Sequence, residues 1–232
     1  MSGWRKRLDE IGERHELDGE RRERLGRLLE LLRDDPAAPT TVRDPAAAVD
    51  VHVADSLIAL ELEVVRTAKR VADVGAGAGF PGLPLAVALP GAQISLVESA
   101  SRKCAFLERG IAAAGALNAE VACVRVEEWP VRDLDLVCVR AVAPLAVLVE
   151  YAAPILRIGG SLVAWKGRPE TSEERAGVAA AEHLGLRAAR AVSVDPYPAA
   201  ERRALYLYSK VRATPSRFPR RPGMARKRPL SG

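Results

Sequence analysis

Short apolar runs alternate with amphipathic stretches from residue 69 onward, and this alternation predicts an α/β fold. Seven β-branched runs are predicted as strands, at residues 71–74, 94–97, 120–126, 134–139, 161–165, 188–194 and 204–210. Helices are predicted between them at residues 83–89, 102–114, 143–156 and 173–183. Strands that alternate with helices form a mainly parallel, doubly wound sheet. The last two strands have no helix between them, which predicts an antiparallel hairpin at one edge.

The residues before the first strand predict a helical extension. Leu25, Leu28, Leu29 and Leu32 form one apolar stripe, so a helix is expected over residues 1–35, ending at the Asp-Asp-Pro sequence at 34–36. A second helix is expected over residues 46–65. The predicted organisation is a helical extension at 1–66, a central α/β domain at 67–211 and a C-terminal tail at 212–232.

Composition narrows the class of protein. The chain has 232 residues and is 48% hydrophobic, enough for a substantial core. Its apolar runs are too short to cross a bilayer and no signal-peptide pattern opens the chain, so no membrane partner is expected. Three separated cysteines and three scattered histidines predict buried thiols, a reducing cytoplasm and no metal site.

The charge is concentrated in the tail. Residues 210–228 carry eight basic and no acidic side chains, which leaves 27 basic against 30 acidic residues elsewhere. A basic segment on a near-neutral body is typical of a polyanion-binding protein. A solvated, disordered tail explains the charge equally well.

The most informative segment is the glycine turn that follows the first strand. Glycines at 75, 77 and 79 allow a ligand to approach the backbone, and Phe80 stands where a dinucleotide-binding loop has glycine or alanine. Asp73 precedes the turn, and Glu98 ends the second strand, where an acid can bind ribose hydroxyls. Together these features predict a class I methyltransferase fold, Rossmann-like, that binds S-adenosylmethionine (SAM).

The residues after the fourth strand narrow the reaction. The sequence there is Arg140-Ala141-Val142-Ala143-Pro144, not the Asn/Asp-Pro-Pro-aromatic motif of adenine N6 enzymes. No cysteine follows a proline, as it usually does in cytosine C5 enzymes. Guanine N7 has an available lone pair at neutral pH, so its methylation needs proximity and alignment and no base.

The chain resembles the RsmG (GidB) family of 16S rRNA guanine-N7 methyltransferases. The segments that carry the resemblance are 42–45, His52 with 55–57, 73–85, 98–103, 125–128, 140–141, 162–167, 218–223 and 227–230. They follow in the family's order and cover roughly residues 40–230. The family usually has Asn-Leu-Thr before the segment at 42–45, and this chain has Ala38-Pro39-Thr40 there.

The resemblance implies specific roles for residues. It implies SAM contacts at Gly75, Phe80, Val126 and Glu127, and it places Arg140 where SAM meets substrate, as the candidate catalytic residue. The general class I pattern adds Asp73, Gly77, Gly79 and Glu98. RNA contacts are expected at Lys103, Arg125, Lys166, Arg220 and Arg221.

The expected partner is 16S rRNA or the 30S subunit, and a cytoplasmic monomer without metal is expected. His52, Trp129 and Trp165 are predicted to be structural.

Two other functions fit part of the sequence. A methyltransferase for a small molecule would use the same glycine loop, and deletion of residues after Lys210 would then leave its activity intact. A non-catalytic RNA-binding protein that kept only the fold would not bind SAM. A nicotinamide dehydrogenase is disfavoured by Phe80.

Overall fold

A computed structural model of the chain describes residues 3–167, 171–200 and 203–230. Its centre is one seven-stranded sheet in the order β3-β2-β1-β4-β5-β7-β6. The strands are Arg70–Val74 (β1), Gln93–Glu98 (β2), Ala119–Cys123 (β3), Leu134–Arg140 (β4), Leu156–Lys166 (β5), Leu186–Ser193 (β6) and Ala204–Lys210 (β7). β1 to β5 pair in parallel, whereas β7 is antiparallel to both β5 and β6. The predicted mainly parallel sheet with an antiparallel edge is confirmed.

Helices cover both faces of the sheet. In the central region they are Gly82–Ala88 (α6), Ser101–Ala114 (α7), Leu145–Ala152 (α8) and Thr171–Leu184 (α9). On one face, α6 and α7 share an apolar core with the N-terminal helices. On the other face, α8 and α9 form a second core with the inner residues of the sheet. Trp129 and Trp165 are buried in these cores, as predicted.

The predicted single helix over residues 1–35 is wrong, because this segment forms two helices and the leucine stripe lies on the second. The helices are Gly3–Arg14 (α1) and Gly19–Asp34 (α2). Glu16 lies between them with a φ of 56°, a left-handed conformation that interrupts a helix. The Asp18 side chain then accepts a hydrogen bond from the backbone N–H of Arg21 and caps α2.

The helix predicted over residues 46–65 is confirmed only in part, because Leu62 is extended and the helix type changes along the segment. The successive pieces are Pro45–Ala48 (α3), a π-helical turn at Val49–Ala54, Asp55–Leu57 (α4), a 3₁₀ turn at Ile58–Glu61 and Glu63–Arg66 (α5). π-helical turns inside helices are frequent at functional sites because they shift side chains relative to a regular helix. This turn carries His52, and Asp55 follows it directly.

The tail packs onto the body of the protein, and we call residues 212–230 the strap. Phe218 and Ala225 of the strap are buried in the core that contains α8. A short helix, Met224–Lys227 (α10), lies near its end. Among the described residues, no helix is long and apolar enough to span a membrane.

The expectation of three unpaired cysteines is wrong. Cys104 on α7 and Cys123 at the end of β3 form a disulfide, with their Cα atoms 5.8 Å apart. Cys138 is free and buried. The sequence did not indicate the pair because 19 residues separate the two cysteines and only the packing of α7 against β3 brings them together.

Candidate active site

A cavity of about 590 Å³ opens at the carboxyl ends of β1, β2 and β4. This is where open α/β sheets bind their ligands, and the volume lies in the usual range for small-molecule sites. Of the predicted cofactor contacts, seven line it: Gly75, Gly77, Phe80, Glu98, Val126, Glu127 and Arg140. The N-terminal segment adds Pro39, Thr40 and His52 to the lining, which no local sequence pattern indicated.

The glycine turn and Glu98 form the floor of the cavity. Gly75 has a φ of 75°, and a Cβ placed on it would lie 2.6 Å from the Cγ2 atom of Val142, so only glycine fits. The Glu98 carboxylate accepts hydrogen bonds from the N–H groups of Gly77 at 3.2 Å, Ser99 at 2.8 Å and Ala100 at 3.0 Å. These contacts fix a carboxylate against the turn, in the position where an acid can accept hydrogen bonds from ribose.

Two predicted cofactor contacts, Asp73 and Gly79, lie outside the described lining of the cavity. The Asp73 carboxylate is buried and accepts a hydrogen bond from the N–H of Gly82 at 2.7 Å, at the start of α6. Burial raises the pKa of Asp73 to about 7. A Cβ on Gly79 would collide with Leu83. Asp73 and Gly79 therefore contact the start of α6, and we assign them to the packing of the glycine turn.

Arg140, at the end of β4, is held by groups from the segment at 45–66. Its Nη1 donates to the carbonyl of Val51 at 3.0 Å and to Asp55 Oδ2 at 2.9 Å. Its guanidinium carbon lies 5.6 Å from the centre of the Phe80 ring. Asp55 is only 1% exposed and also pairs with Arg203 at 3.3 Å. Arg140 is thus fixed in the cavity wall by a buried carboxylate.

His52 completes this arrangement as a neutral ring. Its Nε2 lies 3.1 Å from the carbonyl of Val42, which only accepts, so Nε2 carries the proton. Nδ1 then accepts from Arg140 Nη2 at 3.3 Å. The ring stacks on Phe80 with centroids 4.5 Å apart. Burial, together with the neighbouring Arg140, lowers the pKa of His52 to about 4.

The strap also reaches the lining of the cavity. Glu127 Oε1 accepts a hydrogen bond from the N–H of Gly223 at 2.9 Å. Arg226, which also lines the cavity, donates to the carbonyl of Val142 at 3.1 Å. The sequence did not indicate a place for Gly223, Arg226 or Tyr151 at the cofactor site, because nothing in their local sequence shows that the tail folds back.

The predicted RNA contacts divide into two groups. Lys103 and Arg125 line the mouth of the cavity, with Lys103 Nζ 3.8 Å from Glu98, and Arg221 is exposed on the strap. Lys166 instead pairs with Glu173 at 2.6 Å, and Arg220 pairs with the buried Glu150. Among the described residues, no group of three or more His, Cys, Asp or Glu side chains is placed to hold a metal ion.

The fold matches known methyltransferases in comparisons with solved structures. One match is a SAM-dependent O-methyltransferase from Thermotoga maritima, with a TM-score of 0.54, 17% identity and coverage of 69% of this chain and 66% of that one. Another is the SAM-dependent methyltransferase SibL, with a TM-score of 0.55, 13% identity and coverage of 68% of this chain and 55% of that one. The architecture is the Rossmann-like fold of class I SAM-dependent methyltransferases.

Sequence comparisons define the family. Residues 35–199 match the family model GidB, described as rRNA small subunit methyltransferase G. A relative with that name from Rubrobacter xylanophilus is 42% identical over 198 residues, 82% of this chain and 76% of its own. The relative from Chloroflexus aggregans is 40% identical and covers 82% of each chain. The chain belongs to the GidB family and is a methyltransferase.

Proposed function

We propose that this protein transfers a methyl group from SAM to N7 of a guanine in 16S rRNA of the small ribosomal subunit. The observation that carries the proposal is the cavity, where Glu98, Glu127 and Arg140 meet a glycine turn in a chain of the GidB family. The floor of this cavity fits SAM because a fixed carboxylate and open glycine backbone face a space of suitable volume.

The state of the side chains around the cavity suits a nucleophile that needs no deprotonation. Both ring nitrogens of His52 are engaged, and a second proton on Nδ1 would face the Arg140 guanidinium. Guanine N7 attacks with its own lone pair, so the reaction needs no imidazole to accept a proton. The protein contributes alignment of the two reactants, which can supply several kcal/mol of the barrier reduction.

The residues around the cavity fall into two groups, those expected to bind the cofactor and those expected to bind the RNA substrate. SAM, when bound, supplies an electrophilic methyl carbon on a sulfonium. Glu98 and Glu127 would bind its ribose and adenine, and Gly75 would allow its close approach to the backbone. Arg140 would lie between cofactor and base, as the family resemblance implies. Lys103, Arg125 and Arg221, which are near the mouth or exposed, are the better candidates for RNA phosphates. Lys166 and Arg220 are weaker candidates because their charges are paired internally.

Methyl transfer to small subunits tests the proposal. Subunits from a strain that lacks this gene are incubated with labelled SAM and the protein, and the modified base is mapped. We expect one N7-methylguanine in 16S rRNA. Glu98→Gln is the site variant, with Glu120→Gln as its control, because Glu120 is an exposed carboxylate on the neighbouring strand β3. If the protein binds SAM but transfers no methyl group to any RNA, the proposal that rRNA is the substrate is wrong, and a small-molecule methyltransferase is favoured.

A further inference from the structure

The strap is built into the fold, although its charge alone suggests a mobile arm. Phe218 is 8% exposed and Ala225 is 2% exposed. The Thr214 hydroxyl lies 3.0 Å from the carbonyl of Ala153, beyond the end of α8. These contacts begin where β7 ends and continue to the rim of the cavity, so the strap has a defined path over α8.

A buried ion pair fixes the middle of this path. Glu150 of α8 is 2% exposed, and Arg220 Nε donates to its Oε1 at 2.6 Å. Arg220 also donates to the carbonyl of Arg228 at 2.9 Å, which closes the strap on itself. A buried carboxylate without a partner is strongly unfavourable. The pair with the buried Glu150 therefore holds Arg220, and with it the middle of the strap, against α8.

The end of the strap contacts two segments that line the cavity. Gly223, with a φ of 81°, directs its N–H to Glu127. Arg226 donates to the carbonyl of Val142 at 3.1 Å, and Arg226 and Tyr151 both line the cavity. The Val142 side chain occupies the space beside Gly75 that a Cβ there would need. The strap therefore connects Glu127, the loop after β4 and the glycine turn.

We propose that the strap is a positioning element of the cofactor site, in which Gly223 orients Glu127 and Arg226 holds the loop at Val142 against the glycine turn. The proposal rests on the proposed function for the identity of the cofactor. A carboxylate and a loop already held in place lose less conformational freedom when the ligand binds, so affinity rises. The strap thus contributes to SAM binding before any RNA is present.

Calorimetric titration of the full-length protein with SAM, without RNA, tests this role. Arg226→Ala is expected to weaken binding by roughly 3- to 10-fold, the value of one hydrogen bond. Lys227→Ala is the matched control, since Lys227 is an exposed cation on the same short helix. We expect it to bind SAM as the unmodified protein does. The thermal unfolding midpoint without SAM is expected to be the same for all three proteins.

A second pair of variants tests Gly223. A Cβ at this position meets no atom within 4 Å, so substitution acts through the backbone conformation alone. Gly223→Ala disfavours the positive φ and is expected to weaken SAM binding. Gly223→Asn is expected to retain more affinity, because asparagine adopts the left-handed conformation more readily.

Three results would overturn the proposal. Unchanged SAM affinity in Arg226→Ala and Gly223→Ala would leave the methyltransferase assignment intact and remove the role of the strap. If Arg226→Ala and Lys227→Ala weaken SAM binding equally, the effect comes from the loss of a positive charge and not from the contact with Val142. A fall in the unfolding midpoint that parallels the loss of affinity would make the strap a stabilising element only. Failure of the unmodified protein to bind SAM would instead contradict the proposed function.

Discussion

The two walls of the cavity differ in burial and in how their charges are held. One wall contains His52 and Arg140, with the buried Asp55 paired to Arg140, and we call these three residues the paired wall. Asp55 there is 1% exposed, and Arg140 is fixed by three partners. The other wall contains Glu127 and Arg226, with Gly223 hydrogen-bonded to Glu127, and we call these three residues the strap wall. Its Glu127 is half-buried and its Arg226 is exposed.

This difference predicts different consequences of losing one group. On the paired wall, removal of a charge leaves its partner desolvated without compensation, so the free energy of unfolding falls. On the strap wall, water can replace a lost partner, so the fold persists and only ligand affinity changes. The paired wall is therefore part of the stability of the protein, and the strap wall adjusts binding.

The largest effect is expected from Asp55→Asn. The change removes the carboxylate that Arg140 and Arg203 share, and we expect a loss of about 3–5 kcal/mol in the free energy of unfolding. Urea titration measures it. The control is Asp34→Asn, which breaks an exposed pair with Arg33 and is expected to leave stability unchanged. Equal effects of the two variants would show that burial does not distinguish the walls.

The pH dependence of stability is the next largest effect. The pKa of His52 is lowered from 6.5 to about 4 in the folded protein. Between these values the unfolded state binds a proton that the folded state does not, so this contribution to stability is lost as pH falls. The unmodified protein should lose up to about 1.4 kcal/mol per pH unit relative to His52→Gln in this window, with the steepest loss near its middle. Chemical denaturation at several pH values between 4.5 and 6.5 measures the difference.

Asp73 provides a control of opposite sign. Its pKa is raised from 3.8 to about 7, so the folded state binds the extra proton and this contribution to stability is lost as pH rises. Relative to Asp73→Asn, the unmodified protein should therefore lose stability as pH increases from 4.5 to 6.5. A parallel pH response of the His52 and Asp73 variants would contradict the assigned protonation states.

The smallest effect is expected from Glu127→Gln on the strap wall. The substitution keeps the shape but weakens the acceptor for the N–H of Gly223 and for the ligand. We expect SAM affinity to fall by about fivefold, equivalent to about 1 kcal/mol, with the unfolding midpoint unchanged. Calorimetry and thermal unfolding check the two parts. A large loss of stability in Glu127→Gln would show that Glu127 contributes to stability as the residues of the paired wall do, which contradicts the prediction.

The order of strands and helices was predictable because it depends on local periodicity. The runs that became β1, β2, β4 and β7 lie within one residue of their predicted ends, since each is a short apolar run. The predictions of helix and strand bounds failed where the backbone conformation changes but the pattern of hydrophobic and polar residues does not. Glu16 interrupts the first helix, and the predicted third strand ends at Cys123, after which residues 126–128 form a 3₁₀ turn.

The sequence by itself determined the class of fold, the glycine turn and the carboxylate at Glu98, because these features follow from neighbours along the chain. Only the tertiary structure decided that Asp73 lies behind the turn, that Asp55 and His52 hold Arg140, and that the strap reaches Glu127. Those contacts join residues 85 to 96 positions apart, except for Asp73. Burial and long-range packing set them, and neither is encoded in a local pattern.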